Sequence, residues 1–565
     1  MGDKVKITNS ENSFVIERTA VASINPRRCV NCGTCRENCP VGAIEEQQRE
    51  ICRICPECTS RPAMTVDEMK QFATKQSCTT ACPLGISPQG YVNLTKNGKP
   101  EAALKHIWEH NPLPSVCARV CNHPCEQACK RGVLVDEPIA IRGVKRYLTD
   151  NIKLKSEVYP KIYDESIAVI GAGPAGLTTA HYLLQKGYDV TVFESESEPG
   201  GMLRRAIPKF RLPAEVLDRD IGHLKECGMK IECNTSISKK QASEMLKKYD
   251  AVVVAAGMPN SNQLQIEGFE KTGIFNAMEY MEKFNNNLAL RAHPANLFDF
   301  DHAKVVVIGG GAVAVDCARS AIRLGAESVT AVCMEEGPLV PCHEWELNQA
   351  KEEGMVLMDG WAPVSYPGTE NEVTSVELCK CSSKKDETGR IIFTKDENNK
   401  KVIEADYVIV AIGRHCDNIW NELESSDKLF FAGDVHGKNQ SIVDAMASGR
   451  KIAGEIDSML RGRALKDPTA QHVIHAAEIN EKIYPATRLH IARPKMPIPD
   501  AEERVKTCEE VEGAYSEETI DIEVLRCLQC GYEKVDPAKC IGCGVCAALC
   551  PQGDVITLEK VNAEV

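Results

Sequence analysis

Nowhere in the 565 residues does an apolar run approach the roughly 18 residues that a membrane-spanning helix needs. The opening stretch, MGDKVKITNSENSFVIERTA, has no apolar h-region of the kind a secretory signal carries. Lys6 stands where a myristoylation pattern requires serine or threonine. These absences predict a soluble, cytoplasmic chain. An excess of base is missing too. Sixty-seven Lys plus Arg face 80 Asp plus Glu, a net charge of −13, which argues against nucleic acid or an anionic membrane as the main partner. The 13 histidines are read as showing no metal-pair or triad spacing and take no role. No carboxylate pair or triad stands out, so no side chain is assigned as a catalytic acid, base or nucleophile. Long-range disorder is excluded by a hydrophobic content of 43%, and the length suits three or four domains.

What the chain has in quantity is cysteine, 28 in all. Without a signal peptide, a disulfide framework is not expected. Most of these cysteines fall in C-x2-C or C-x3-C groups towards the two ends, which is metal-ligand usage in a reducing compartment.

CVNCGTCRENCP places Cys29, Cys32, Cys35 and Cys39 at C-x2-C-x2-C-x3-C-P, the spacing of a [4Fe–4S] site rather than of a zinc knuckle. ICRICPEC adds Cys52, Cys55 and Cys58, but a fourth cysteine would fall at Pro62. Cys39 is therefore expected to complete this second cluster, and the first then needs a ligand from elsewhere. Cys78 and Cys82 follow at C-x3-C-P, then Cys117, Cys121, Cys125 and Cys129 at four-residue intervals. Pro124 interrupts that run, so it reads as a short helix, a turn and a second helix. At the other end CIGCGVCAALCP supplies Cys540, Cys543, Cys546 and Cys550, and RCLQC just before it supplies Cys527 and Cys530. The nine remaining cysteines, Cys333 and Cys342 among them, lack cluster spacing and read as packed thiols.

Between the cysteine-rich ends lie two nucleotide signatures. In the first, the β-run Ile167 to Ile170 leads into Gly171, Gly173 and Gly176 as G-x-G-x-x-G, and a helical pattern and a second β-run end at Glu194. The glycines allow a tight turn and close approach of a pyrophosphate to a helix N-terminus, and Glu194 suits ribose hydroxyls. The second repeats the pattern at Val305 to Ile308, with Gly309, Gly311 and Ala314 in the turn. Two such units imply two dinucleotides, FAD and NAD(P). The second unit ends in Cys333-Met334-Glu335-Glu336. The Glu335 carboxylate there suits a ribose diol and repels a 2′-phosphate, which leans towards NADH, although Arg319 or Arg323 could reach a phosphate. No C-x4-C dithiol follows Gly176, so disulfide reduction is not expected.

From Cys78 to DEPIAIRGVKRYLTD the sequence resembles the iron–sulfur domain of the glutamate synthase small subunit family. That module is shared with the N-terminal part of dihydropyrimidine dehydrogenase and with the large subunit of bifurcating NADH-dependent ferredoxin:NADP oxidoreductase. GGMLRRAIPKFRLP (200–213), with Gly200 and Gly201, and LFFAGDVHGKNQSIVDAMASGRKIA (429–453), with Gly433 and Asp434, are similar to its flavin-binding segments. The resemblance implies that Asp434 holds the ribityl chain. It also implies two clusters whose ligands come from R-C-L-x-C, then C-x3-C-P, then a later cysteine-rich segment. Cys78, Cys82, Cys121, Cys125 and Cys129 match the last two elements. The first is absent ahead of Cys78 but occurs as Arg526–Cys530. Cys527 and Cys530 are thus expected to fold back and complete a cluster with Cys78 and Cys129. The open alternative is that Cys52, Cys55 and Cys58 serve that cluster and the late pair is spare. Nineteen clustered cysteines fit five cubanes with one other ligand, or four with spares.

The expected architecture is multidomain α/β. A ferredoxin-like segment (1–70) and a helical iron–sulfur domain (71–160) precede a Rossmann-like FAD domain in two parts (161–290 and 405–465). That domain encloses a Rossmann-like NAD(P) domain (291–404), and a linker (466–525) leads to a C-terminal ferredoxin-like segment (526–565). The expected function is that of a flavin and iron–sulfur NAD(P)H oxidoreductase subunit. It would pass electrons between NAD(H) or NADP(H), FAD and four or five [4Fe–4S] clusters, to other redox subunits or ferredoxin, in a transhydrogenase or electron-bifurcating complex. The alternatives are a true glutamate synthase small subunit and a non-catalytic wiring subunit.

Overall fold

The computed structural model describes residues 3–8, 13–18, 20–26, 28–48, 77–289, 300–416, 420, 423, 426–436, 441–462, 491–537, 539–553 and 555–560. Cys52, Cys55 and Cys58 lie outside them. The chain forms two compact units. The first combines Met1–Ser156, Gly462–Met496 and Ala514–Val565, and the second combines Glu157–Arg461 and Pro497–Gly513.

In the first unit the two ends of the chain are woven together. Strand Ala20–Ile24 pairs antiparallel with Ile556–Lys560, and Ile44–Gln48 pairs antiparallel with Gly531–Val535. Each half adds one short helix, Thr34–Glu37 or Val545–Leu549. Ala22, Ala43, Ile44, Val535, Val555 and Ile556 pack with the cysteines in a shared small core. Neither half could bury these residues alone, which is why two segments some 500 positions apart behave as one domain. Beside them, helices Pro88–Lys96, Pro100–His110, Pro114–Val120 and Pro124–Gln127 each open on proline, where the missing N–H costs nothing and φ is pre-set. The cysteine run's first helix ends at Val120, and Pro124 starts its second. Helices Ile141–Asn151 and Glu517–Leu525 complete the module.

The second unit contains two five-stranded parallel sheets. The first runs in the order Leu429–Phe431, Ala251–Val254, Ser166–Ile170, Asp189–Phe193, Lys230–Glu232. The second runs Ile274–Asn276, Tyr407–Val410, Lys304–Ile308, Ser328–Cys333, Met355–Asp359. Both put the motif-bearing strand in the middle, so each glycine turn sits at a carboxyl edge of the doubly wound kind. A three-stranded antiparallel sheet, Trp361–Ser365, Ser375–Lys385 and Ile391–Glu404, is attached to the second.

Residues 497–513 return to the second unit as a packed strap. Val511 donates its N–H to the Phe210 carbonyl at 2.9 Å, and Arg504 reaches Glu353 at 2.8 Å. Glu353 also takes bonds from Arg319 and Arg323, at 2.7 Å each. Burial alone would raise its pKa, but the arginines bring it from the ordinary 4.5 down to about 2. The contribution, about 3 kcal/mol, is complete above pH 4.5 and fades as pH falls towards 2. Acid titration followed by flavin release should show this loss in the wild type. Glu353→Gln should start less stable and lack the added loss in that window.

Candidate functional site

The clustered cysteines gather in fours. Cys29, Cys32 and Cys35 line one cavity, of about 310 Å³, with Cys550. Cys540, Cys543 and Cys546 line a second, of about 330 Å³, with Cys39. Each motif sends its fourth cysteine, the one before proline, to the other motif's cavity. The expected placement of Cys39 with Cys52, Cys55 and Cys58 is therefore corrected: among the described residues its companions are the C-terminal cysteines. The interwoven strands cause this, because they set the two C-x2-C-x2-C loops about a pseudo-twofold. Cys78, Cys129, Cys527 and Cys530 line a third cavity, of about 410 Å³. Cys82, Cys117, Cys121 and Cys125 form the fourth set, each close enough to act electrostatically on the buried Lys145.

The loops aim backbone donors at sulfur. Asn31 N–H lies 3.4 Å from Cys29 Sγ, Glu533 N–H 3.3 Å from the same atom, and Ala43 N–H 3.2 Å from Cys39 Sγ. His123 N–H lies 3.3 Å from Cys121 Sγ, and the Asn93 amide 3.4 Å from Cys527 Sγ. Asn31, His123 and Gln529 adopt left-handed φ values of 58°, 40° and 52° within these loops, and Gly542 takes φ 70° where Asn31 stands in the other half. Such costly backbone turns N–H groups inward as an anion-binding nest. Burial meanwhile pushes the free Cys32 thiol up to about 12, and Cys35, Cys78 and Cys125 well above their ordinary value. Sets of four mostly buried thiols, with N–H groups ready for the charge of bound thiolates, fit [4Fe–4S] groups.

The C-terminal segment is held in place by specific bonds. Gln89 bonds both the N–H and the carbonyl of Gly531, at 2.9 and 2.7 Å. Arg526 is fully buried, paired with Glu523 at 2.8 Å and Asp136 at 3.0 Å. Glu46 and Glu533 face each other across their strand pair, bridged by Arg36. Burial pushes Glu533 up to about 7, against the pull of Arg36.

In the second unit the glycine turns show what they make room for. Gly171 and Gly309 have φ of 105° and 140°. A Cβ on Gly176 would collide with the Gly171 carbonyl, so the helix seats tightly on its strand. Gly173 and Gly311, by contrast, have ordinary φ of −79° and −86°, and a Cβ there would meet nothing within 4 Å. Helices Pro174–Gln185 and Ala312–Arg323 start at these two residues with no side-chain cap. Two uncapped helix N-termini with open space above a glycine fit dinucleotide pyrophosphates. Ala314 is buried behind the second turn. Glu194 is 5% exposed, and its Oε2 accepts the Ala172 N–H at 2.7 Å, which braces it across the first turn. Gly201 packs against Gly173, and Gly200 donates its N–H to the Ala172 carbonyl at 2.9 Å. Gly433 (φ 77°) packs on Ala175, and burial raises the pKa of Asp434 beside it, partly offset by Arg414. Arg414 closes the segment YVIVAIGR (407–414), read from sequence only as a returning strand, so its place beside Asp434 was missed.

Glu335 is half-buried beyond strand Ser328–Cys333. Arg319 and Arg323 are not available there: both guanidiniums are engaged by Glu353.

The comparisons with known proteins agree with this geometry. A family model described as pyridine nucleotide-disulphide oxidoreductase matches residues 165–449. One described as dihydropyrimidine dehydrogenase domain II, 4Fe-4S cluster, matches 71–157, and a 4Fe-4S binding domain matches both 22–45 and 533–554. The chain is 29% identical over 511 residues to the NADP(+)-dependent formate dehydrogenase subunit beta of Moorella thermoacetica, covering 82% of this chain and 71% of that protein. It is 30% identical over 440 residues to the NAD-dependent dihydropyrimidine dehydrogenase subunit PreT of Escherichia coli (strain K12), covering 74% of this chain and 98% of that one. It is 28% identical over 421 residues to the glutamate synthase [NADPH] small chain of Azospirillum brasilense, covering 68% and 87%. With the first model spanning half the chain and PreT matched over nearly its whole length, the chain belongs to the pyridine nucleotide-disulphide oxidoreductase family, in the glutamate synthase small subunit-like branch that joins FAD and NAD(P) sites to [4Fe–4S] clusters.

Proposed function

We propose that this NAD(P)H-dependent flavin and iron–sulfur oxidoreductase subunit holds four [4Fe–4S] clusters on sixteen cysteines, and feeds a redox partner subunit or ferredoxin within a transhydrogenase or electron-bifurcating complex. The observation that carries the reading is the grouping of those cysteines into four sets of four, three of them combining cysteines from before residue 130 with cysteines from after residue 526. The ferredoxin-like pair exceeds what the glutamate synthase branch's own module supplies, which favours a larger assembly over a plain glutamate synthase small subunit. Among the described residues no helix is long and apolar enough to cross a membrane.

When bound, FAD accepts hydride from the nicotinamide and the cubanes carry the electrons singly. The chain's own residues position these groups. Gly171, Gly173, Gly176, Gly200, Gly201 and Glu194 cradle the flavin nucleotide, and Gly433 and Asp434 cover its ribityl side. Gly309, Gly311 and Ala314 receive NAD(P). Glu335 accepts ribose hydroxyls and favours NADH, because Arg319 and Arg323 are already paired to Glu353.

Valine at either open glycine tests the two nucleotide sites separately, since a Cβ there meets nothing within 4 Å and the branch projects into the space proposed for the pyrophosphate. Gly311→Val should raise the KM for nucleotide with flavin and iron unchanged. Gly173→Val should lower flavin content instead. Equal effects on both cofactors would contradict the assignment. In Glu335→Arg, the ratio of kcat/KM for NADH over NADPH should fall by about tenfold or more, a change of about 1.4 kcal/mol. An unchanged ratio would remove Glu335 from the site.

A further inference from the structure

Helix Pro100–His110 ends in HIWEH, and the expectation that no histidine has ligand spacing fails there. His106 and His110 are four residues apart, on one helix face. One ligand atom each from His106, Glu109 and His110 lies within 4.8 Å of the others. The imidazoles sit side by side, centroids 4.8 Å apart and tilted by 54°. His106 is 3% exposed; the Ser87 backbone approaches it, but neither ring nitrogen makes a hydrogen bond of normal geometry, so one nitrogen is left for a cation. His110 is oriented from both sides. Its Nδ1 lies 2.9 Å from the His106 carbonyl, and its Nε2 lies 2.7 Å from Glu37 Oε2. Glu37 belongs to helix Thr34–Glu37, so a second element converges on the cluster.

Two imidazoles with carboxylates are a donor set for borderline divalent cations, and an Nδ1-to-carbonyl bond is the usual way a ligating imidazole is held in one tautomer. Donors around such an ion stand roughly 3.3–3.5 Å apart, so the set within 4.8 Å must close and Glu37 must draw back from its 2.7 Å contact with His110 Nε2, both within reach of carboxylate rotamers.

We propose that His106, Glu109 and His110, with Glu37 as fourth donor, form a zinc-type divalent metal site that fastens the helical module to the ferredoxin-like pair, separate from the cubanes. It is a closed, structural site with no redox role.

The test uses anaerobically purified holoprotein, freed of loose ions on a chelating resin and titrated with Zn2+ while zinc and iron are counted together. The wild type should take up one zinc per chain without losing iron, and His106→Ala should not. Glu109→Gln, a half-buried position where folding is not at issue, should bind about tenfold or more weakly. Zinc-edge anomalous scattering should peak between His106 and His110. Equal uptake by all three proteins, uptake matched by loss of iron, or none in the wild type would overturn the site and leave His110 and Glu37 as a plain ion pair.

Discussion

Cys550→Ser should remove the cluster of Cys29, Cys32 and Cys35, not that of its own motif neighbours. About four iron atoms per chain should be lost, one cubane's content. The pairing is tested by combination. Cys550→Ser added to Cys32→Ser should cost no more iron than either change alone, because both strip the same cavity. Added to Cys543→Ser it should cost two cubanes. Cys39→Ser should behave reciprocally, silent on top of Cys543→Ser and additive on top of Cys32→Ser. If instead Cys550 and Cys543 prove redundant with each other, each motif closes its own cluster and the interwoven arrangement is wrong.

Arg526→Ala should destabilise the first unit by about 3–5 kcal/mol, the range for breaking a buried ion pair, since it strands Glu523, while Asp136 keeps Arg131 at 2.6 Å. Glu523 would be left fully buried, and the Ile491, Pro138 and Glu137 carbonyls would each lose a donor. The same arginine precedes Cys527, so iron from the cavity of Cys78, Cys129, Cys527 and Cys530 should be released first on denaturant titration. Arg526→Lys should rescue little, because one ammonium cannot replace a planar fork that meets five acceptors. A variant with wild-type denaturation midpoint and iron content would show that the late segment is held by other contacts.

Much of this arrangement was legible in local pattern. The two glycine turns, each framed by an apolar strand and an acidic or small residue in register, carried the doubly wound domains. Pro124 marked the break in the cysteine run, and RCLQC marked the segment missing ahead of Cys78. What stayed hidden was long-range pairing. The rule that a fourth cysteine serves the other cluster was applied to the nearer motif, Cys52–Cys58, because it is close in sequence. Strand pairing across roughly 500 residues overrides proximity, and the pseudo-symmetry of CVNCGTC and CIGCGVC was the signal that could have shown it. Arg319 and Arg323 looked available for phosphate because their partner, Glu353, stands thirty residues on with no motif around it. His106 and His110 were passed over because the histidines read as showing no metal-pair spacing, although HIWEH sets these two at i, i+4.

Anaerobic titration of the purified holoprotein with NADH, and then NADPH, tests the central claim most directly, with flavin bleaching and cluster EPR followed in the same samples. The account predicts prompt bleaching, with NADH the more effective, and reduced-cluster signals rising as the flavin is turned over. No bleaching by either nucleotide would contradict it, and would mean that the nicotinamide chemistry belongs to a partner and that this chain only conducts electrons.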